Sequence, residues 1–231
     1  MSGLELGALI VALGAGLAYA FWRYVWFFHN PPRSPAPGEG LVSAADGTVV
    51  YVKKFASAAD VIHVKQGLAA RLSDIVREDA ALPQLLIGVF MSPFDVHYNR
   101  APLEGTVAFV RHSPGRSANV HMGPMHWRIL ARRPPYYTDS RHIVQNERTV
   151  TRIDGALRGM PLHCHVVQIA AKTVAGIDSY VEPGGTVERG ATFGMIRIGS
   201  QVDIVIPWRE GLNVRVQPGD RVRAGETVLV D

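Results

Sequence analysis

Apolar and polar positions fall into two regimes along this chain. From Leu6 to Trp22 no residue is charged, and apolar character continues past Arg23 through Phe28. That length is close to the ~20 residues a helix needs to cross a hydrocarbon core. Beyond it the apolar residues alternate or run in short β-branched blocks, at 47–52, 85–91, 105–110, 162–169, 193–198 and 202–206, which read as strands. The blocks at 47–52 and 105–110 share one pattern, GTVVYV and GTVAFV, and are expected to be equivalent barrel strands. Leu68, Leu72, Ile75 and Val76 have helical spacing, so 68–81 reads as a helix or as an irregular excursion between strands.

The C-terminal part repeats itself. VEPGGTVERGAT at 181–192 matches VQPGDRVRAGET at 216–227, an offset of 35 residues that places two glycine turns around a short bridge in each copy. Such hairpins build biotinyl- and lipoyl-like domains. The expected fold is therefore mostly β, of barrel-sandwich type with few helices, preceded by one N-terminal apolar anchor helix. A carrier domain of this type presents a modifiable lysine at its hairpin tip, and neither turn has one.

Residues 1–28 are the expected anchor, 29–40, with four prolines and two glycines, a stiff linker, and 41–231 one domain of ordinary size. Ala18-Tyr19-Ala20 imitates a signal-peptide cleavage site, but the first seven residues carry Glu5 and no Lys or Arg, so the basic start of a signal peptide is missing. Arg23, Arg33, Lys53 and Lys54 all follow the apolar run, which places the domain on the cytoplasmic side of the cell membrane; a helix lying in the interface is the other option. The net charge of +4 comes from scattered Lys and Arg without a nucleic-acid-binding motif, so membrane-surface charge is its expected use and no nucleic acid partner is expected. The single Cys164 excludes an intrachain disulfide.

Candidate chemistry is concentrated in polar residues set among apolar ones. Gly199-Ser200 stands between two strands and is either a turn or a serine poised to attack the carbonyl before it, which needs no Cβ in the way and a base for the hydroxyl proton. Asp46-Gly47 before a strand is a turn or a functional carboxylate. His97, with Asn99 and Arg100 in a loop bounded by Pro93 and Pro102, is placed for proton transfer and anion binding. His163 and His165 share one face of a strand, yet no third and fourth ligand follows at metal spacing, so no metal is expected. Residues 111–141 hold histidines, aromatics and the Arg132-Arg133 pair, and read as a mobile basic loop or as a border of the substrate site.

Several stretches, taken in order, resemble the short-form, pyruvoyl-dependent phosphatidylserine decarboxylase family: FFHNPPR at 27–33, ADGTV at 45–49, FMSPFDVHYNRAP at 90–102, QNER at 145–148, VQIA at 167–170 and RIGSQVDIVIP at 197–207. The resemblance implies that the chain cuts itself between Gly199 and Ser200 into chains 1–199 and 200–231, which stay together as a heterodimer. It implies that Ser200 becomes a pyruvoyl group, with no external cofactor, and that this ketone condenses with the amine of a serine phospholipid at the membrane. Phosphatidylserine would become phosphatidylethanolamine with loss of CO₂. His97 is the implied acid and Asp46 the implied orienter of a histidine during self-cleavage, while Asn99 and Arg100, beside His97, are the candidate substrate-binding residues. The alternatives are another serine phospholipid, such as archaetidylserine, and a processing-deficient, membrane-tethered binding module.

Two features depart from the family pattern. Longer members carry a second histidine where this chain has Arg100, so His97 serves both steps, or a histidine such as His121 or His126 takes the place, or self-cleavage is impaired. Relatives commonly carry an arginine pair near 171–177, where this chain reads AKTVAGI.

Overall fold

The structure, a computed structural model, describes residues 2–172, 176–197 and 199–231. It opens with helix α1 (Gly3–Tyr24) and a 3₁₀ turn (Trp26–Phe28). Then come β1 (Leu41–Val42), β2 (Gly47–Phe55), β3 (Ile62–Lys65), β4 (Leu68–Ala70), α2 (Leu72–Val76), β5 (Gln84–Met91), β6 (Tyr98–Arg100) and β7 (Gly105–Ser113). Helices α3 (Gly123–Leu130) and α4 (His142–Gln145) precede β8 (Arg148–Leu157), β9 (Met160–Ala170), β10 (Ile177–Ser179), β11 (Thr186–Val187) and β12 (Thr192–Ile196). The chain ends with β13 (Ser200–Pro207), β14 (Arg221–Val222) and β15 (Val228–Val230).

One antiparallel sheet of eight strands, in the order β11-β7-β8-β9-β13-β5-β2-β14, curls into a half-barrel, so the mostly-β expectation holds. Both faces of its central strands are covered, which explains why they read as apolar runs rather than as alternations. On one face Val89, Met91, Val166, Val202, Ile204 and Phe193 pack together. On the other, Tyr51, Phe90, Val167, Ile169 and Val205 meet Ile75 of α2, Met125 of α3 and Ile143 of α4. Burying each of the large aliphatics of β13 is worth about 1.5–3 kcal/mol, so the strand that begins at Ser200 is fixed from both sides.

The 35-residue repeat is a repeat of position as well as of sequence. Its first copy supplies β11, paired with β7 through Thr186↔Thr106 and Val187↔Gly105. Its second supplies β14, paired with β2 through Arg221↔Thr48 and Val222↔Gly47. The two copies close opposite edges of the sheet, each on one of the two strands that share the GTV pattern. Both strands begin with a glycine pressed on a neighbour: a Cβ on Gly47 would lie 2.1 Å from the Phe90 carbonyl oxygen, and one on Gly105 2.3 Å from that of Asp154.

Elsewhere the elements differ from expectation in detail. The helical spacing at 68–81 divides into β4, which folds back on β3 around Gly67, and the short α2, which ends at Arg77 in the left-handed conformation. Residues 111–141 contain α3, seated through Met125, rather than only loop. Helix α1 has a capping box formed by Ser2 and Glu5 and buries none of its residues; an 18-residue window within Gly3–Phe28 reaches a mean hydropathy of 1.9. The stretch 29–40 does not stand free. Arg189 donates to the carbonyls of Ala36 and Gly40, at 2.5 and 2.8 Å.

Candidate active site

The register of the sheet brings the separated motifs to one end. Ser200, the first residue of β13, lies between Met91, the last of β5, and Ala170, the last of β9. Thr48 pairs with Phe90, so Asp46, just before β2, belongs to the same end. The loop carrying His97 leaves β5 immediately afterwards.

Gly199 adopts the left-handed conformation, φ +67°, which glycine takes without the penalty a Cβ brings. Its carbonyl accepts the Ala171 N–H at 3.2 Å. Ser200 is fully buried, and its hydroxyl donates to the Met91 thioether at 3.5 Å, a weak acceptor. The Asn99 amide also donates to that sulfur, at 3.7 Å, and the Asn99 carbonyl oxygen accepts from Gln168 at 2.7 Å. Ser200, Met91, Asn99 and Gln168 form one buried chain of contacts. Ile198, between the two strands of the motif, lies outside the described residues, as do 173–175 of the AKTVAGI departure.

His97 is fully buried. Its Nδ1 lies 2.7 Å from the Asp95 carbonyl oxygen, which can only accept, so Nδ1 carries the proton and Nε2 the lone pair. Nε2 has no hydrogen-bond partner among the described residues. Burial, opposed by the Asp95 hydrogen bond and charge, lowers the His97 pKa to about 4, which keeps the ring neutral near pH 7. An unpartnered buried imidazole nitrogen costs folding free energy and is the form a base requires.

Asp46 is bound by Arg33, 2.8 Å from Oδ2, and by the Ala224 N–H, 2.7 Å from Oδ1, rather than by His97 or Ser200. Burial raises its pKa, with the Ala224 and Arg33 contacts opposing. Arg100 donates to the carbonyl of Gly190 at 2.9 Å, to Asn30 Oδ1 at 2.7 Å and to the Pro31 carbonyl at 3.0 Å. His121 is exposed, and His126 packs on Phe90 with ring centroids 5.6 Å apart. His163 binds Asp154 at 2.8 Å and His165 binds Glu78 at 2.9 Å, while Cys164 between them points into the core.

Behind Ser200, on the opposite face of β13, lies a polar cluster to which sequence reasoning assigned no role. Gln201 Oε1 accepts from His142 Nε2 at 2.9 Å; Gln201 Nε2 donates to the Tyr51 hydroxyl at 2.6 Å and to Asp203 Oδ1 at 2.7 Å; Tyr51 donates to Asp203 Oδ2 at 2.7 Å. All four side chains are fully buried. Arg148, equally buried, donates to backbone carbonyls of Asn146, Asp74, Ile75 and His142. Burial raises the Asp203 pKa to about 6 and lowers that of His142 to about 4. The available signal was the placing of Gln201 and Asp203 at alternate positions of an otherwise apolar strand.

A sequence profile described as phosphatidylserine decarboxylase matches residues 21–230. A phosphatidylserine decarboxylase proenzyme of Thermobifida fusca is 34% identical over 224 residues, covering 97% of this chain and 77% of the relative. One from Chlorobium phaeovibrioides is 33% identical over 95% of this chain and 81% of its own length. A Methanopyrus kandleri protein, provisionally named an archaetidylserine decarboxylase proenzyme, is 35% identical over 95% of this chain and 85% of its own length. Because the family profile spans residues 21–230 and these relatives are 33–35% identical over nearly the whole chain, the chain belongs to the phosphatidylserine decarboxylase family.

Proposed function

We propose that this protein is a self-processing phospholipid decarboxylase that converts phosphatidylserine into phosphatidylethanolamine and CO₂. The observation that supports the reading is that a left-handed Gly199, a weakly held Ser200 hydroxyl and a neutral His97 with an unpartnered Nε2 belong to one sheet end.

In the uncut chain Ser200 Oγ attacks the Gly199 carbonyl and its proton passes to His97 Nε2. The Ala171 N–H, already on the Gly199 oxygen, stabilises the charge that develops there. The C–N bond then breaks as His97 returns the proton to the residue-200 nitrogen, leaving an ester and a free amine. Loss of the residue-200 Cα proton then breaks the Cβ–O bond and frees the chain 1–199, ending in a carboxylate. The dehydroalanine left at 200 takes up water and releases ammonia, giving a pyruvoyl group. The sheet fits this outcome, since residue 200 stays paired to β5 and β9 whether or not Gly199 is attached.

The pyruvoyl ketone supplies an electron sink for the carbanion left by CO₂. The dry surroundings of Ser200 and His97 disfavour the substrate carboxylate relative to its product. His97 protonates the carbanion; an anionic headgroup beside Nε2 raises its proton affinity from the low value of the uncut chain. Asn99, which shares Met91 with Ser200, is the nearer headgroup contact. Arg100 reaches a phosphate only by leaving Gly190, Asn30 or Pro31. Asp46 acts through neighbouring groups. Helix α1 holds the domain at the cytoplasmic face of the membrane, where the substrate lies.

The test is release of CO₂ from phosphatidylserine in mixed micelles by the purified, detergent-solubilised protein. Turnover lost in Ser200→Ala supports the reading, and faster turnover of an ether-linked archaetidylserine would reassign the lipid. No turnover of either lipid by a folded protein contradicts it.

A further inference from the structure

The turn that follows the apolar helix touches all three of the motif residues Asp46, His97 and Arg100. The Phe27 ring, 1% exposed, lies on His97 with centroids 4.4 Å apart and planes at 40°. Arg33 binds Asp46 at 2.8 Å and Glu226 at 3.0 Å. Asn30 and Pro31 supply two of the three oxygens that hold Arg100. A spacer between anchor and domain requires none of these contacts, because its polar groups are satisfied by water.

We propose that the turn from Phe27 to Arg33 is part of the active site, with Phe27 the positioning residue that covers and orients His97 and Arg33 the one that holds Asp46. For the reaction this rests on the decarboxylase reading; for the contacts it does not. Two residues besides burial bear on the charge of His97. Asp95, in its own loop, favours the imidazolium through its carbonyl and its carboxylate; His29, from the turn, disfavours it; burial outweighs both. Phe27 is a large apolar part of that cover, and without it water reaches the ring. The turn also joins the site to the helix. Trp22 of α1 contacts Phe94 at the tip of the His97 loop, with ring centroids 6.3 Å apart. A lipid arriving along the helix meets this turn before it meets His97. The helix ahead of Trp22 is thus replaceable as an anchor, and the turn is not.

The experiment is an NMR titration of His97 in the full-length, detergent-solubilised Ser200→Ala protein, which needs no self-cleavage. Added Phe27→Ala is expected to move the His97 midpoint upward by at least about one pH unit, towards an ordinary histidine. Phe27→Leu, close in volume and apolar, is expected to hold it near the parent value, which separates lost cover from lost folding. Replacing residues 3–18 by an unrelated apolar helix of equal length, which keeps Trp22 and Arg23 against Phe27, is expected to leave it unchanged. A midpoint that Phe27→Ala does not move, or that the helix replacement moves as far, overturns the proposal. A shift of the predicted kind in a protein whose Ser200 form never cuts itself would refute the decarboxylase reading and leave the turn's role standing.

Discussion

The hydroxyl of Ser200 faces the sulfur of Met91 across 3.5 Å, so its hydrogen-bonding partner among the described residues is a thioether rather than an oxygen or nitrogen. A hydroxyl held by a weak acceptor gives its proton to a base at little cost, and stays buried without a strong competitor for the role. Met91→Leu keeps the volume and removes the acceptor. It is expected to change stability by less than about 1.5 kcal/mol and to leave the rate of chain cutting within a few-fold, as read by the appearance of two bands over time.

Gln201 occupies the first position beyond the site, and its amide joins residues on both sides of the proposed cut: His142 and Tyr51 in the large chain, Asp203 in the small one. Gln201→Leu leaves those three buried groups short of partners, each costing about 1–3 kcal/mol. Once the covalent tie to Gly199 is gone, this network keeps the new end of β13 from fraying. The variant should therefore lose kcat on the processed enzyme by about tenfold or more with little change in KM, as measured in mixed micelles.

His97 and His142 are both held neutral in the fold with pKa values of about 4, against 6.5 for an unburied histidine. Between those values the unfolded chain binds protons that the folded chain refuses, so stability is intact above about pH 6.5 and is lost as pH falls towards 4. Asp203, raised to about 6, works in the opposite sense, since below that pH the folded chain binds its proton before the unfolded one does. It offsets only part of the loss. The thermal midpoint of the uncut Ser200→Ala protein should fall between pH 7 and 5, and His142→Gln should flatten that fall.

Gly47 approaches the β5 backbone so closely that a Cβ would overlap the Phe90 carbonyl oxygen at 2.1 Å. Gly47→Ala must push β2 away from β5 beside Asp46. The expected result is a loss of several kcal/mol, seen as a lowered thermal midpoint, together with slowed cutting.

Strands such as β5, β9 and β13 were legible because two covered faces demand continuous apolar residues, and the repeat at 181–192 and 216–227 was legible because two sheet edges pose the same closing problem. Gly199, Ser200, His97 and Asp46 stood out as polar or small residues in apolar surroundings, and the structure brings them to one sheet end, with Asp46 bound to Arg33 and Ala224. Other features depend on contacts far apart in sequence. Phe27 reads as the tail of an apolar helix, and only the fold places it on His97. Arg100 reads as an anion binder, whereas two of its three bonds hold the turn at Asn30 and Pro31 and the third goes to the Gly190 carbonyl. His142 stood unremarked among several histidines, because its partner Gln201 lies 59 residues away. The stretch 68–81, read as a helix or an irregular excursion between strands, divides between the two because a hairpin at Gly67 takes Leu68 into a strand and leaves Leu72, Ile75 and Val76 to a short helix.

Self-cleavage at Gly199-Ser200, with formation of a ketone at residue 200, underlies the proposed function. Intact-mass analysis of the purified, detergent-solubilised protein beside Ser200→Ala tests it most directly. Two chains are expected, 1–199 and 200–231, the smaller lighter than its sequence by the conversion of serine to pyruvoyl, with the variant uncut. A single chain of unaltered mass from folded protein would contradict it.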